Sequence, residues 1–320
     1  DEPTNHLDMK GRQTVAAYLK KKKGFILVSH DRNFLDGCVD HILSINRADI
    51  EVQSGNFSSW FENFQKNQTA EIAKNQRLQK DMERLKKAAD RTDSWAGKVE
   101  ASKYGNGPVD RGYIGHKSAK MMKRAKSIKS RQQKAAEEKS TLLKNIEKTE
   151  VLKISPLKYK TDRLALDGKN GSGKSSILKL VAGRGDIPEY RGNISIGSNL
   201  AVSYVPQDAS FLKGSLSEFA EAQNIDESLF KTILRKMDFE RVQFEKNMED
   251  FSEGQKKKVL LAGSLCQQAH LYIWDEPLNF IDIYSRMQIQ QLIEDFSPTM
   301  IFVEHDEAFR DAIATGVVRL

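Results

Sequence analysis

The sequence predicts an α/β protein in which a phosphate-binding-loop domain occurs in tandem, with an antiparallel α-helical hairpin of coiled-coil type joining the two copies. Three observations predict it. The stretch DEPTNHLD at Asp1 returns as DEPLNFID at Asp275, the run GKNGSGKSS begins at Gly168 between an apolar segment and a helical one, and the middle third is basic with helical periodicity.

Length and composition agree with that class. A chain of 320 residues has room for two or more domains of ordinary size. Charged residues make up 30% of it, and no apolar run reaches the roughly 18 to 20 residues that span a bilayer. The expectation is a soluble protein with no membrane or transmembrane partner. Cys38 and Cys266 lack metal-ligand spacing, which predicts reduced thiols and a cytoplasmic location.

Residues 1–58 read as the C-terminal part of a first nucleotide-binding domain. Glu2 precedes His30 of ILVSHD by 28 residues, and Glu276 precedes His305 of IFVEHD by 29. An aromatic follows each histidine, Phe34 in one copy and Phe309 in the other. Self-similarity of this kind is the signature of a repeated unit. Lys174 precedes Glu276 by 102 residues, so a first phosphate loop is expected about a hundred residues before Asp1, in a longer tandem protein.

Residues 59–150 read as the hairpin. Leu78, Met82, Leu85 and Ala89 recur at helical spacing, as do Ile114, Met121, Ala125, Ile128, Ala135, Leu142 and Ile146. The Gly and Pro cluster from Gly105 to Gly112 breaks the two helices. From Phe61 to Glu150 there are 22 Lys and Arg against 12 Asp and Glu, and from Arg111 to Lys134 nine basic residues and no acid. A basic rod suits a polyanion such as RNA; a solvated face that keeps a long helix soluble is the alternative. The tip near residues 103–117 has Tyr104 and Tyr113, which suit stacking among bases or packing at the helix ends.

Residues 151–320 carry the chemistry. Gly168, Gly173, Lys174 and Ser175 fit GxxxxGK[ST], where glycines let amides face phosphate oxygens, the lysine reaches the β- and γ-phosphates and the serine hydroxyl ligates Mg²⁺. A chance glycine-rich turn is the alternative, and the strand before it and helix after it argue against that. Asp275 and Glu276 close the apolar run LYIWDEP, as a carboxylate on the water shell of the metal and a carboxylate that polarises the attacking water.

Taken together these residues resemble the nucleotide-binding domain of ATP-binding-cassette proteins. The resemblance assigns Gly168, Asn170, Gly171, Ser172, Gly173, Lys174, Ser175 and Ser176 to the Walker A loop and Gln207 to the Q-loop. It assigns Ser252, Gly254 and Gln255 to the signature, Asp275 and Glu276 to Walker B, Asp282 to the D-loop and His305 to the switch histidine. Ser175, Gln207 and Asp275 would hold Mg²⁺ through ATP. Asp1, Glu2 and His30 would be the matching residues of the first copy, and Ser252 with Gly254 would complete that first site in an intramolecular sandwich of a monomer. Phe251 and Glu253 depart from the LSGGQ pattern. The family also places two strands and an adenine-stacking aromatic before Walker A, yet ISPLKYK runs almost directly into TDRLALDG. A gap near residue 160 is expected, with Tyr159 as a stacking aromatic or an ordinary strand aromatic.

Two cassettes joined by a basic hairpin resemble the ABC-F subfamily, and details such as DRGYIGHKSAKMMKR resemble its antibiotic-resistance group of the Lsa and Vga types. That resemblance implies a bacterial ribosome partner, with 23S rRNA of the large subunit and P-site tRNA approached from the tRNA exit site. Lys103, Tyr104, Arg111, Tyr113, His116, Lys117, Lys120, Lys123 and Arg124 would contact RNA. It implies ATP-dependent expulsion of a lincosamide, pleuromutilin or streptogramin A. The alternatives are a housekeeping ABC-F translation factor and a DNA-repair or chromosome-type ATPase.

Overall fold

The computed structural model describes residues 2–4, 7–45, 50–101, 116, 119–124, 126–131, 133–134, 151–184 and 190–320. It divides into two compact units, residues 1–40 with 149–320, and residues 41–148.

The first unit is built on a five-stranded parallel sheet. Its strands are β3 (Arg163–Asp167), β4 (Val202–Val205), β5 (Leu271–Asp275), β6 (Met300–Val303) and β7 (Gly316–Arg319), in the order β4-β5-β6-β3-β7. A parallel sheet covered on both faces needs strands that are apolar on both faces, and every residue of β5 is buried. Alternation sorts the side chains. Tyr272, Trp274, Met300, Phe302 and Ala165 enter the larger core, while Leu271, Ile273, Val303 and Leu166 meet Leu178 in a smaller one. Trp274 and Phe302 are almost wholly buried, and each aromatic of this size contributes several kcal/mol of apolar burial, on the order of 25 cal/mol per Å².

Helices α4 (Lys174–Val181), α5 (Leu216–Ala222), α6 (Glu227–Lys236), α7 (Glu253–Cys266), α8 (Ile283–Phe296) and α9 (Glu307–Ile313) complete the domain. Side-chain caps start five of them: Ser215 for α5, Asp226 for α6, Ser252 for α7, Asp282 for α8 and Asp306 for α9. Helix α4 instead starts at Gly173 without a side-chain cap, at the C-terminal end of β3, and that end of the sheet is where the chemistry gathers.

The N-terminal segment of this unit contains α1 (Met9–Leu19), capped by Asp8, and α2 (Arg32–Cys38), capped by Asp31. Asp31 accepts from Phe34 N at 3.0 Å as Asp306 accepts from Phe309 N at 3.1 Å. The two aromatics noted in the sequence thus occupy the same helical position. Asn33 donates to Glu307 at 3.3 Å, so the starts of α2 and α9 meet.

The second unit contains the antiparallel pair β1 (His41–Ile45) and β2 (Ile50–Ser54), followed by α3 (Phe57–Ala101), a helix of 45 residues. Strand β1 follows α2 at the interval at which β7 follows α9. On α3 the less exposed positions include Leu78, Met82 and Leu85, the expected stripe, and Met121 and Ile128 are likewise half-buried in the helical residues beyond. His116, Lys120, Lys123 and Arg124 are helical and exposed. Lys103, Tyr104, Arg111, Tyr113 and Lys117 lie outside the described residues, as do the glycine-rich tip, Ala135, Leu142 and Ile146. No helix among the described residues is long and apolar enough to cross a membrane.

One expectation is corrected here. Tyr159 belongs to no strand and packs edge-on against His270, with ring centroids 6.3 Å apart, at the N-terminal end of β5. Leu157 N donates to Ala269 O at 3.0 Å and holds the segment there. The phosphate loop lies at the other end of the sheet, so Tyr159 is not placed to stack on a base.

Candidate functional site

The loop from Gly168 to Gly173 joins β3 to α4. Gly171 and Gly173 have φ of 82° and 92°, a left-handed region that side chains disfavour. A Cβ at Gly168 would stand 2.7 Å from Ser172 Oγ, which would have to rotate away, and 3.2 Å from the Leu320 carbonyl oxygen. Lys174 is buried and its Nζ donates to the carbonyls of Gly168 and Lys169 at 2.7 and 2.9 Å. These residues open on a cavity of about 340 Å³ lined by Asn170, Gly171, Gly173, Lys174, Ser175, Ser176, Gln207 and Glu276. Its size suits a small ligand, and the amide-rich start of α4 suits an anionic one.

Asp275 ends β5 fully buried, and neither of its carboxylate oxygens has a hydrogen-bond partner. Burial raises its pKa, opposed first by the nearby Ser175 hydroxyl. An orphaned buried carboxylate beside a serine hydroxyl fits a hydrated divalent cation. Among the described residues there is no cluster of three His, Cys, Asp or Glu that would hold a metal by itself.

Glu276 follows with φ of 46°. Its Oε2 accepts from Gln207 Nε2 at 2.8 Å and Asn279 Nδ2 at 2.6 Å, and its Oε1 lies 3.4 Å from His305 Nε2. Burial works to raise its pKa, and the His305, Gln207 and Asn279 contacts outweigh it, so the group is held below its ordinary value as a carboxylate. Glu304 supports this arrangement from behind. Its carboxylate accepts from the amides of Leu278, His305 and Asp306.

The N-terminal segment repeats much of this geometry. Glu2 has φ of 44°, its amide donates to Val28 O as Glu276 N donates to Val303 O, and His30 Nε2 lies 3.4 Å from its Oε1. Arg12 binds Asp31 at 2.5 Å and the Leu7 carbonyl at 3.0 Å, and Arg286 binds Asp306 at 3.2 Å and the Ile281 carbonyl at 2.9 Å. The electrostatics differ, because burial raises Glu2 above its ordinary value. Burial lowers His30, with Arg286 adding to that and Asp282 opposing it. Asp1 lies outside the described residues.

Ser252 caps α7 in a reciprocal box, with Gln255 N donating to Ser252 Oγ at 3.3 Å and Ser252 N to Gln255 Oε1 at 3.0 Å. Gly254 lets α7 approach the loop after β5, since a Cβ there would stand 2.5 Å from the Phe280 carbonyl oxygen. Asp282 caps α8 and pairs with Lys258 of α7 at 2.6 Å. Burial raises its pKa, and Lys258 and Ser285 more than reverse that.

The structure therefore gathers Gly168 to Ser176, Gln207, Asp275, Glu276 and His305 at one end of the sheet. It keeps Ser252, Gly254 and Gln255 at the start of α7, bonded to one another or packed on Phe280. Sequence reasoning missed Asn279, Glu304, Lys257 and the Arg12 and Arg286 pair. The repeat contained the signal for the arginines, since each stands four residues after its capping aspartate, Asp8 or Asp282. Lys257 is 2% exposed and donates to Pro206 O at 2.8 Å. Burial brings its pKa down to about 8, against the nearby carboxylates of Asp275, Glu304, Glu276 and Asp208.

Residues 153–279 match the family model described as ABC transporter, and that segment is an ATPase domain of the ATP-binding-cassette type. Among curated proteins, the chain is 31% identical over 334 residues to the ATP-binding protein Uup of Buchnera aphidicola, covering 97% of this chain and 54% of that one. It is 25% identical over 355 residues to the ribosome protection protein VmlR of Bacillus subtilis, covering 97% and 62%. The chain spans about half the length of the first curated relatives it matches. A solved structure described as a model of ribosome-bound archaeal Pelota and ABCE1 matches all of this chain and 49% of its own, with a TM-score of 0.55 and 18% identity, a likeness of fold. The chain is thus similar to ABC-F-type ATP-binding proteins.

Proposed function

We propose that this ATP-binding-cassette chain is part of a tandem-cassette ATPase of the ABC-F type that binds the bacterial ribosome and acts on P-site tRNA through its basic hairpin. The observation that carries the tandem reading is the recurrence, at Glu2, His30, Arg12 and Asp31, of the contacts made by Glu276, His305, Arg286 and Asp306. Two left-handed glutamates, each 3.4 Å from a histidine, support the reading of two hydrolytic half-sites.

In this reading the Walker A amides and Lys174 hold the ATP phosphates, and Mg²⁺ bound with ATP is held by Ser175, Asp275 and Gln207. Glu276 orients water, with His305 beside it to sense the γ-phosphate. Glu2 and His30 do the same in the first cassette, with Asp1 beside them, and Ser252, Gly254 and Gln255 face that site across the sandwich. Closure on ATP and reopening after hydrolysis would move the hairpin. Its basic residues would offset phosphate repulsion, His116, Lys120, Lys123 and Arg124 on exposed helix together with Lys103, Arg111 and Lys117, while Tyr104 and Tyr113 would stack among bases. The similarity to a ribosome protection protein favours expulsion of a lincosamide, pleuromutilin or streptogramin A. The similarity to Uup proteins, named only as ATP-binding, favours a second reading, a housekeeping translation ATPase with no drug role.

The test is a pull-down of the tagged protein carrying Glu2→Gln and Glu276→Gln, with and without ATP. Ribosomal RNA retained only with ATP is the expected result. Its absence while ATP still binds would overturn the ribosome reading. Rescue of drug-inhibited translation by the wild-type protein then separates the protection reading from the housekeeping one.

A further inference from the structure

We propose that Lys257 is a positioning residue for hydrolysis at the Glu276 site, fixing the Gln207 loop to the end of β5 so that the Gln207 amide meets the Glu276 carboxylate. The proposal rests on the ATPase reading of that site and adds a residue to it.

The argument starts from what one ammonium touches. Lys257 Nζ donates to the carbonyl of Pro206 at 2.8 Å and reaches towards the carbonyl of Asp275 at 3.4 Å. Pro206 immediately precedes Gln207, and Asp275 immediately precedes Glu276. The two side chains that follow those carbonyls meet at 2.8 Å. A single side chain thus holds the backbone on both sides of the Gln207 to Glu276 contact.

Position on the helix adds a second link. Lys257 lies in the second turn of α7, the helix that begins at the Ser252 cap and is pressed by Gly254 against Phe280. A displacement of α7 is passed by Lys257 to Pro206 and Asp275 together. Packing by itself would not select a lysine here. Burying an ammonium is costly, and methionine would fill a similar length without that cost. The carboxylates of Asp208, Asp275, Glu276 and Glu304 face it and offset part of the cost. A buried charge bonded to two backbone carbonyls at the lip of a cleft supplies directional hold that an apolar side chain lacks.

The experiment compares wild type, Lys257→Met, Lys257→Arg, Gln207→Ala and the Lys257→Met, Gln207→Ala double variant. Steady-state ATPase kinetics, ATP titration calorimetry and hydrogen exchange of residues 205–210 are measured on each. Lys257→Met is expected to lower kcat by roughly 10- to 100-fold, as displaced catalytic groups do, with ATP affinity changed less than about threefold. Arginine, which can still donate to carbonyls, is expected to restore part of the loss. The double variant should be no worse than the poorer single variant, because both remove one contact. Exchange of residues 205–210 should quicken by roughly tenfold in Lys257→Met.

Unchanged kcat and unchanged exchange in a folded Lys257→Met protein would overturn the proposal, as would losses that add in full. If Lys257→Met does not fold, Lys257→Gln, a neutral donor, takes its place with the same expectations. Wild type that binds ATP without turnover would overturn the ATPase reading alone, and the exchange measurement would still decide whether Lys257 positions the loop.

Discussion

Arg286 donates to Asp306 at 3.2 Å with both side chains buried, and the same guanidinium reaches the carbonyls of Ile281 and Leu278 at 2.9 Å. It ties the turn that carries Glu276 and Asn279 to the cap of α9, which follows His305. The glutamate and the histidine stand 3.4 Å apart on loops that this cation and the Glu304 carboxylate both bridge. Replacing Arg286 by Met would leave Asp306 and two carbonyls without that donor. Loss of one partner of a buried pair costs about 3–5 kcal/mol, so urea unfolding should show a destabilisation of that order.

Gly254 tests the approach of α7 to the loop after β5. Gly254→Ala puts a Cβ 2.5 Å from the Phe280 carbonyl oxygen, a backbone atom that no side-chain rotation can remove. Phe280 is itself held at φ of 63°. The expected cost is about 1–3 kcal/mol, seen as a lower melting temperature. ATP affinity at the Lys174 loop, measured by calorimetry, should change little, because that loop makes no contact with Gly254.

Glu276→Gln keeps the volume and removes the charge. Gln207 and Asn279 would then share a neutral acceptor, and water polarisation would be lost. Hydrolysis at this site should fall by roughly 100-fold or more, while ATP binding persists. Single-turnover assays with radiolabelled ATP would read the first effect and filter binding the second. Rapid turnover in the Glu2→Gln, Glu276→Gln protein would contradict the roles proposed for both residues.

Alkaline stability tests the burial of Lys257. Its folded pKa is lowered to about 8 from the ordinary 10.5. Between those values the unfolded chain holds the extra proton, so this group's contribution to stability rises with pH through that window. Wild type should gain on the order of 3 kcal/mol relative to Lys257→Met between about pH 7.5 and pH 10.5, measured by urea unfolding of both. Cys266, pushed up to about 12, acts in the opposite sense, with stability that is present below pH 9 and lost as pH rises towards 12. It is common to both proteins and cancels in the difference.

Several elements are legible in the sequence. The strand, glycine loop and helix around Lys174 each have a local cause: the apolar run Leu164 to Leu166 in β3, left-handed glycines, and a helix-forming run after them. The echo of DEPTNHLD in DEPLNFID pointed to recurring contacts for the same reason, since Asp8 and Asp282 both cap helices through local side-chain bonds. Tyr159, expected as a stacking aromatic or a strand aromatic, is neither, because a lone aromatic has no local signal for which end of a sheet it will reach. His270 and Ala269, more than a hundred residues away, decided that.

The sequence by itself determined the phosphate loop, the helix caps, the repeat and the basic, periodic middle third, all of which follow from bonds or spacings within a few turns of chain. Only the tertiary structure decided that Gln207, Asn279 and His305 converge on Glu276, that Arg286 and Glu304 hold that convergence, and that Lys257 is buried behind it. A charged residue in a helix reads as surface in sequence. Its burial depends on whether carbonyls and carboxylates from distant segments meet it, and the folding of the sheet alone brings Pro206, Asp275 and Glu304 to one lysine.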